Sequence, residues 1–136
     1  MTIILADTDA YFRNRLRRRL ERITGVRVVG ESSNSKEATA MILNRKPDVA
    51  ILNSMLDGGS GTDVLHHIRQ LMVPPTIIVV TDNPSGDNKN VLSVAGADFI
   101  FEKVTEGDKI SNTVRLLCVT HSHIEPLDSP FATLDE

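Results

Sequence analysis

Pro47-Asp48-Val49-Ala50-Ile51-Leu52-Asn53-Ser54-Met55-Leu56, running on through Asp57-Gly58-Gly59-Ser60-Gly61, decides how this chain folds. A short apolar run ends abruptly in Asn53, and a Gly-rich turn and a helical pattern follow. In an open α/β sheet, residues just past the carboxyl ends of the strands face the functional crevice. Asp7, Asp9, Thr81 and Lys103 also stand at the ends of apolar runs. The chain therefore reads as a set of strands whose ends converge around Asn53.

Working outward, Thr2 to Ala6 is a continuous apolar run, the pattern of a buried strand, and it ends in Asp7-Thr8-Asp9. Ala10 to Ile23 places Phe12, Leu16, Leu20 and Ile23 at helical spacing. Its polar face carries Arg13, Arg15, Arg17, Arg18, Arg19 and Arg22, and Gly25 is a plausible stop. Val26 to Gly30 reads as a second strand, and a helix follows from the polar Ser33–Glu37 stretch to Lys46, ended by Pro47. Asp48 to Asn53 is the third strand, and Ser60 or Thr62 opens a helix through Leu71. Thr76 to Thr81, rich in β-branched residues, is a fourth strand, followed by a loop from Asp82 to Gly86. Asn88 to Ala95 is a short helix stopped by Gly96, Asp98 to Glu102 a fifth strand, and Thr105 to about His121 a last helix.

Strands alternating with helices imply a parallel sheet covered on both faces, and right-handed crossovers leave few topologies. The expected fold is α/β, a flavodoxin-like (βα)5 three-layer sandwich with five parallel strands in the order 2-1-3-4-5. One domain over residues 1–121 and a tail or linker over 122–136, with two prolines and little periodicity, are expected. The 136 residues are 40% hydrophobic and 24% charged, ordinary for a globular domain. A net charge of −3 gives no global argument for nucleic acid or an anionic membrane. Cys118 is the only cysteine, which rules out an internal disulfide, and no apolar run approaches bilayer length. A cytoplasmic setting is expected.

Taken together, Ile4-Leu5-Ala6-Asp7-Thr8-Asp9, the Pro47–Asn53 strand with its Met55–Gly61 loop, Thr81, and Gly96-Ala97-Asp98 leading to Lys103 resemble the receiver domain of two-component response regulators. The resemblance covers about residues 1–120 in order and spacing. Val28-Val29-Gly30-Glu31 resembles receivers attached to helix-turn-helix output domains. In that family an aspartate attacks a phosphoryl group, Mg²⁺ held by acidic residues neutralises the charge, and Lys and Thr/Ser hold the phosphoryl oxygens.

This chain departs from that pattern at several positions. The phosphoacceptor-equivalent position holds Asn53, an uncharged amide and a poor nucleophile. The acidic pair at the end of the first strand is interrupted: Thr8 follows Asp7, and Asp9 comes one place later. Mg²⁺, the cofactor the resemblance implies, keeps Asp7 and Asp9 as a weak ligand pair. Ile100 stands where an aromatic rotamer switch is common, with Phe99 and Phe101 beside it on the opposite face, and Val104 replaces the proline that usually follows the lysine. The expected pocket is Asp7, Thr8, Asp9, Asn53, Thr81 and Lys103. The expected function is a degenerate, phosphorylation-independent receiver that acts through protein contacts and is not an enzyme. Its expected partners are a histidine kinase, another receiver or an output domain. A homodimer through residues 88–117 is expected, with no direct nucleic-acid or membrane contact.

Other features read as structural. The arginine run reads as a solvated helix face, with an acidic docking partner as the alternative. His66-His67 reads as helix surface, His121 and His123 lack further ligands, and Gly58, Gly59 and Gly61 do not fit a P-loop. Ser54 is expected on the strand face opposite Asn53, so it is a poor substitute acceptor. A different class also resembles Asp7-Thr8-Asp9: haloacid-dehalogenase-type phosphatases, with Asp7 as nucleophile, Asp9 as general acid and Mg²⁺. Against it, no acidic pair follows a further strand after Lys103.

Overall fold

The computed structural model describes residues 1–82 and 85–127. Its elements run β1 (Thr2–Ala6), α1 (Ala10–Glu21), β2 (Arg27–Ser32), α2 (Ser35–Arg45), β3 (Val49–Asn53), β4 (Met55–Leu56), β5 (Gly59–Ser60), α3 (Gly61–Ile68), β6 (Thr76–Thr81), α4 (Gly86–Ala95), β7 (Phe99–Glu102) and α5 (Gly107–Leu127). The main sheet has the order β2-β1-β3-β6-β7, with every neighbouring pair parallel. Counted among these five strands alone, that is the expected 2-1-3-4-5.

Period-2 alternation sorts the strand residues into two cores. Ile3, Leu5, Val49, Ile51, Ile78 and Val80 pack with α1 and α5 on one face. Ile4, Ala6, Ala50, Leu52, Ile77 and Val79 pack with α2, α3 and α4 on the other. This two-sided burial is why the strands read as unbroken apolar runs.

The helix ends follow local chemistry. Asp9 caps α1, accepting hydrogen bonds from the Tyr11 and Phe12 amides, and Asn34 caps α2 through Lys36 and Glu37. Ser60 and Asp63 form a reciprocal capping box at the start of α3. Lys46 closes α2 in a left-handed conformation (φ 47°) before Pro47. At the sheet's edge, the Glu21 carboxylate accepts the Val28 amide and Arg45 donates to the Val29 carbonyl.

Three details differ from the sequence reading. The second strand lies one to two residues later, at Arg27–Ser32, with an irregular register between Ile3 and Ile4 of β1. The segment from Asp57 to Gly61, expected as loop, carries half of a small antiparallel hairpin, β4 to β5, with Gly58 (φ 72°) at its turn. Asp57 ties that hairpin to the start of α2 through backbone bonds with Ser33 and Ser35. α5 continues through Leu127, into the stretch expected as tail. Residues 128–136 of that tail, and Asn83 and Pro84 of the expected loop, lie outside the described residues.

Gly61 sets the distance between α3 and the end of β3. A Cβ there would meet the Asn53 carbonyl oxygen at 2.5 Å and the Ser54 Cα at 3.2 Å, both backbone. Gly61→Ala is therefore expected to lower stability by about 1–3 kcal/mol through overpacking, read as a lower urea midpoint with unchanged slope.

Candidate functional site

The parallel register dictates which side chains meet. β1 pairs with β3 as Ile3↔Val49 and onward to Ala6↔Leu52, so the next row places Asp7 beside Asn53. Both continue the odd-numbered series that faces α1 and α5. Across the sheet, Val80 pairs with Phe101, and Lys103, two residues on, shares that face. The row closes: the Asn53 amide Nδ2 donates to Asp7 Oδ2 at 3.0 Å, and Lys103 Nζ reaches Asp7 Oδ1 at 3.0 Å. Asp7 and Asn53 are each only 3% exposed.

The Asp7 carboxylate also accepts the Asp9 amide on Oδ1 at 2.8 Å, so three donors surround it. The Asn53 amide orientation follows from its two contacts: Nδ2 faces a carboxylate, and Oδ1 accepts the Met55 amide at 2.9 Å. Reversing it would set oxygen against oxygen and N–H against N–H. Lys103 is covered from outside by Phe12, whose ring centroid lies 4.4 Å from Nζ. Arg13 donates to the Asp7 backbone carbonyl and, with Arg17, flanks Glu31 of β2. The two guanidinium Nε atoms lie 3.4 and 3.1 Å from the Glu31 carboxylate without hydrogen-bond alignment, so these are charge contacts.

Thr81 belongs to the opposite face, in series with Ile77 and Val79, as does Ser54 in series with Ala50 and Leu52. Ser54 Oγ lies 3.1 Å from Thr81 Oγ1, which also accepts Asn88 Nδ2 at 3.2 Å. The expected pocket is thus divided into two rows: Asp7, Asn53 and Lys103 on one face, and Thr81 with Ser54 and Asn88 on the other. Thr8 is exposed and has turned away from both rows.

Asp9, expected as a weak metal ligand, is committed to capping α1 through Oδ1; its Oδ2 stands 3.9 Å from Lys103 Nζ. The residues present do not fit Mg²⁺. The one deeply buried carboxylate among the described residues, that of Asp7, has both oxygens engaged by N–H donors, and Asn53 turns its nitrogen toward the site. Among the described residues, no three His, Cys, Asp or Glu side chains converge on a point that could hold a metal. The same saturation of Asp7 leaves it poorly placed as a phosphatase nucleophile.

Ile100 packs on the α2–α4 side, while Phe101 packs on the other and Phe99 stacks on it with ring centroids 6.3 Å apart. Neither aromatic occupies the Ile100 position. Val104 is 84% exposed. Within the arginine run, Arg13 and Arg17 meet Glu31, and Arg19 meets Asp108 at 2.7 Å. Among the described residues, three of the six arginines therefore meet acidic partners. Phe12, Arg13 and Asn88 are site residues that the sequence reading did not single out. For Asn88 the available signal was its place in the first turn of a helix after Thr81.

The response regulator receiver domain family matches residues 3–115. The chain is 34% identical over 102 residues to the phosphate regulon transcriptional regulatory protein PhoB of Pseudomonas aeruginosa, covering 73% of this chain and 44% of that protein. It is 27% identical over 144 residues to a nitrate/nitrite response regulator protein homolog of Haemophilus influenzae, covering 95% and 69%. It thus spans less than half the length of the first of these relatives. Its fold superposes on the receiver domain of a NarL response regulator from Mycobacterium tuberculosis with a TM-score of 0.79 at 23% identity, covering 86% of this chain and 94% of that one.

Removing the ammonium at the centre of the first row would leave the Asp7 carboxylate buried without its counter-charge. Lys103→Met is expected to cost about 2–4 kcal/mol, a buried-pair loss reduced by the partial exposure of the lysine. Urea unfolding at pH 7 reads this directly, and an unchanged midpoint would show that the pair contributes nothing.

Proposed function

We propose that this chain, which belongs to the response regulator receiver domain family, works as a regulatory protein–protein interaction module that does not depend on phosphorylation. One observation carries the reading: the Asp7 carboxylate is held by Lys103, by the Asp9 amide and by the neutral Asn53 side chain. Phosphoryl transfer needs a nucleophile with an available lone pair and a cation to gather the phosphoryl oxygens. Asn53 supplies no such nucleophile, and Lys103, the natural oxygen-binding cation, is already engaged.

The second row supports the same reading. Thr81 is held by Ser54, just past β3, and by Asn88 from α4, which ties the first turn of α4 to the end of β6. With both rows closed by the chain's own side chains, one arrangement of α4 and β7 is favoured. A partner then reads a fixed surface, and regulation resides in whether that partner is present. The module performs no catalysis of its own in this reading.

The partner surface we favour is the region 88–117. It exposes Val91, Val94 and Leu116, at 57%, 84% and 70%, with Phe99 between them at 37%. Apolar side chains at that exposure suit a homodimer, another receiver, a histidine kinase or an output domain. No helix among the described residues is long and apolar enough to cross a membrane. A cytoplasmic role without direct nucleic-acid contact fits the net charge of −3.

Intact mass after incubation with Mg²⁺ and acetyl phosphate is the decisive measurement. The native chain is expected to gain no phosphoryl group. Asn53→Asp alone is expected to stay unlabelled, because Thr8 leaves the metal without its second acid. Asn53→Asp combined with Thr8→Asp is expected to take the label. A stable phosphoryl group on the native chain would instead mean a receiver modified at a non-standard residue, with Ser54, Asp57 and Asp9 the first to map. In sedimentation equilibrium, Val94→Glu is expected to weaken any self-association at least about tenfold, since it buries a charge at the proposed contact.

A further inference from the structure

Between α1 and the connection from β7 to α5 lies an open cavity of about 620 Å³. Small-molecule sites span roughly 300–1,000 Å³, so its size is ordinary for one. Phe12 and Leu16, one turn apart on α1, form an apolar wall. Tyr11 and Val104 also line it and are left 70% and 84% exposed. Large side chains left uncovered beside an apolar wall are the surface that a bound molecule covers.

The charged groups around the cavity sort into contacts, with two left over. Lys103 Nζ lies 3.0 Å from Asp7 and 3.9 Å from Asp9. Arg19 of α1 meets Asp108 of α5 at 2.7 Å. Among the described residues, Arg15 and Asp82 have no ion-pair partner. Arg15 rests on the Tyr11 ring, 5.6 Å from its centroid. It stands on the α1 wall, and Asp82 stands just past the end of β6. One cation and one anion, both exposed, thus share a cavity with an apolar wall.

We propose that this cavity binds a small zwitterion with an apolar body, of the amino-acid class. Its carboxylate meets the Arg15 guanidinium, whose planar fork suits two parallel hydrogen bonds. Its ammonium meets Asp82, and its apolar body covers Phe12, Leu16 and Tyr11. A ligand with only one of the two charges covers the cavity but leaves the other protein charge without a partner. Occupancy also bears on the charged row. Phe12 lies over Lys103, and the Arg19–Asp108 contact joins the two walls, so a bound molecule presses on both. The site is independent of whether the chain takes a phosphoryl group.

Amide NMR titrations of the full chain with L-phenylalanine, phenylacetate and phenethylamine test the site, with no Mg²⁺ or phosphodonor present. L-Phenylalanine is expected to shift the Tyr11, Arg15, Val104 and Thr105 signals saturably, with a dissociation constant of about millimolar. Phenylacetate, which lacks the ammonium, and phenethylamine, which lacks the carboxylate, are each expected to bind about threefold more weakly or worse. Arg15→Gln and Asp82→Asn change exposed side chains and are each expected to weaken L-phenylalanine by a similar factor. Arg15→Gln is expected to leave phenethylamine unaffected, and Asp82→Asn to leave phenylacetate unaffected. Absence of a saturable shift with L-phenylalanine, or saturable shifts away from this cavity, overturns the proposal. So does binding that both variants leave unchanged. Phenylacetate binding as tightly as L-phenylalanine marks a simple anion site and overturns it too.

Discussion

A carboxylate buried as deeply as that of Asp7 must either lose its charge or be surrounded by donors, because water can no longer solvate it. Here three donors surround it, each from a different place in the sequence: the backbone at Asp9, the side chain of Asn53 and the ammonium of Lys103. That requirement fixes much else. It draws the start of α1 over the end of β1, where Asp9 becomes the helix cap. It fastens β7 to β1 across the width of the sheet, since Lys103 and Asp7 are separated by 96 positions in the chain. It also explains why Phe12 lies over Lys103, keeping the ion pair in a partly water-free setting where attraction between charges is stronger.

The sheet's alternation then divides the polar ends of the strands between two faces. Asn53 and Ser54 are neighbours in sequence but serve different rows, one charged and one built from hydroxyls and an amide. The charged row holds α1 and β7 to the centre; the hydroxyl row holds α4. Of these parts, α4 and β7 bear Val91, Val94 and Phe99 of the proposed partner surface. Its shape thus depends on polar contacts made on both faces of the sheet at the carboxyl ends of the strands.

Much of this was legible in the sequence. The β-branched run Thr76–Thr81 and the apolar runs ending in Asp7 and Asn53 read as strands because both of their faces are buried. The alternation that sends Ser54 away from Asn53 could be read before any coordinates. The role of Asp9 could not, because an acid three residues past a strand looks the same whether it binds a metal or caps the next helix. The β4–β5 hairpin was also hidden: strands of two residues have no period to detect, and their pairing depends on Asp57 meeting Ser33 and Ser35 from elsewhere in the chain. Phe12 counted only as a core position of an amphipathic helix, since nothing in its spacing reveals that the lysine just past β7 lies beneath it.

The outer strand β2 has a consequence of a different kind. A bare strand edge invites a neighbour's backbone to pair with it. On β2, the Glu21 carboxylate occupies the Val28 amide and the Arg45 guanidinium occupies the Val29 carbonyl. An incoming strand would have to push aside a charged side chain of each sign before it could add a rung. At this edge, backbone pairing that would lengthen the sheet without limit is thereby disfavoured.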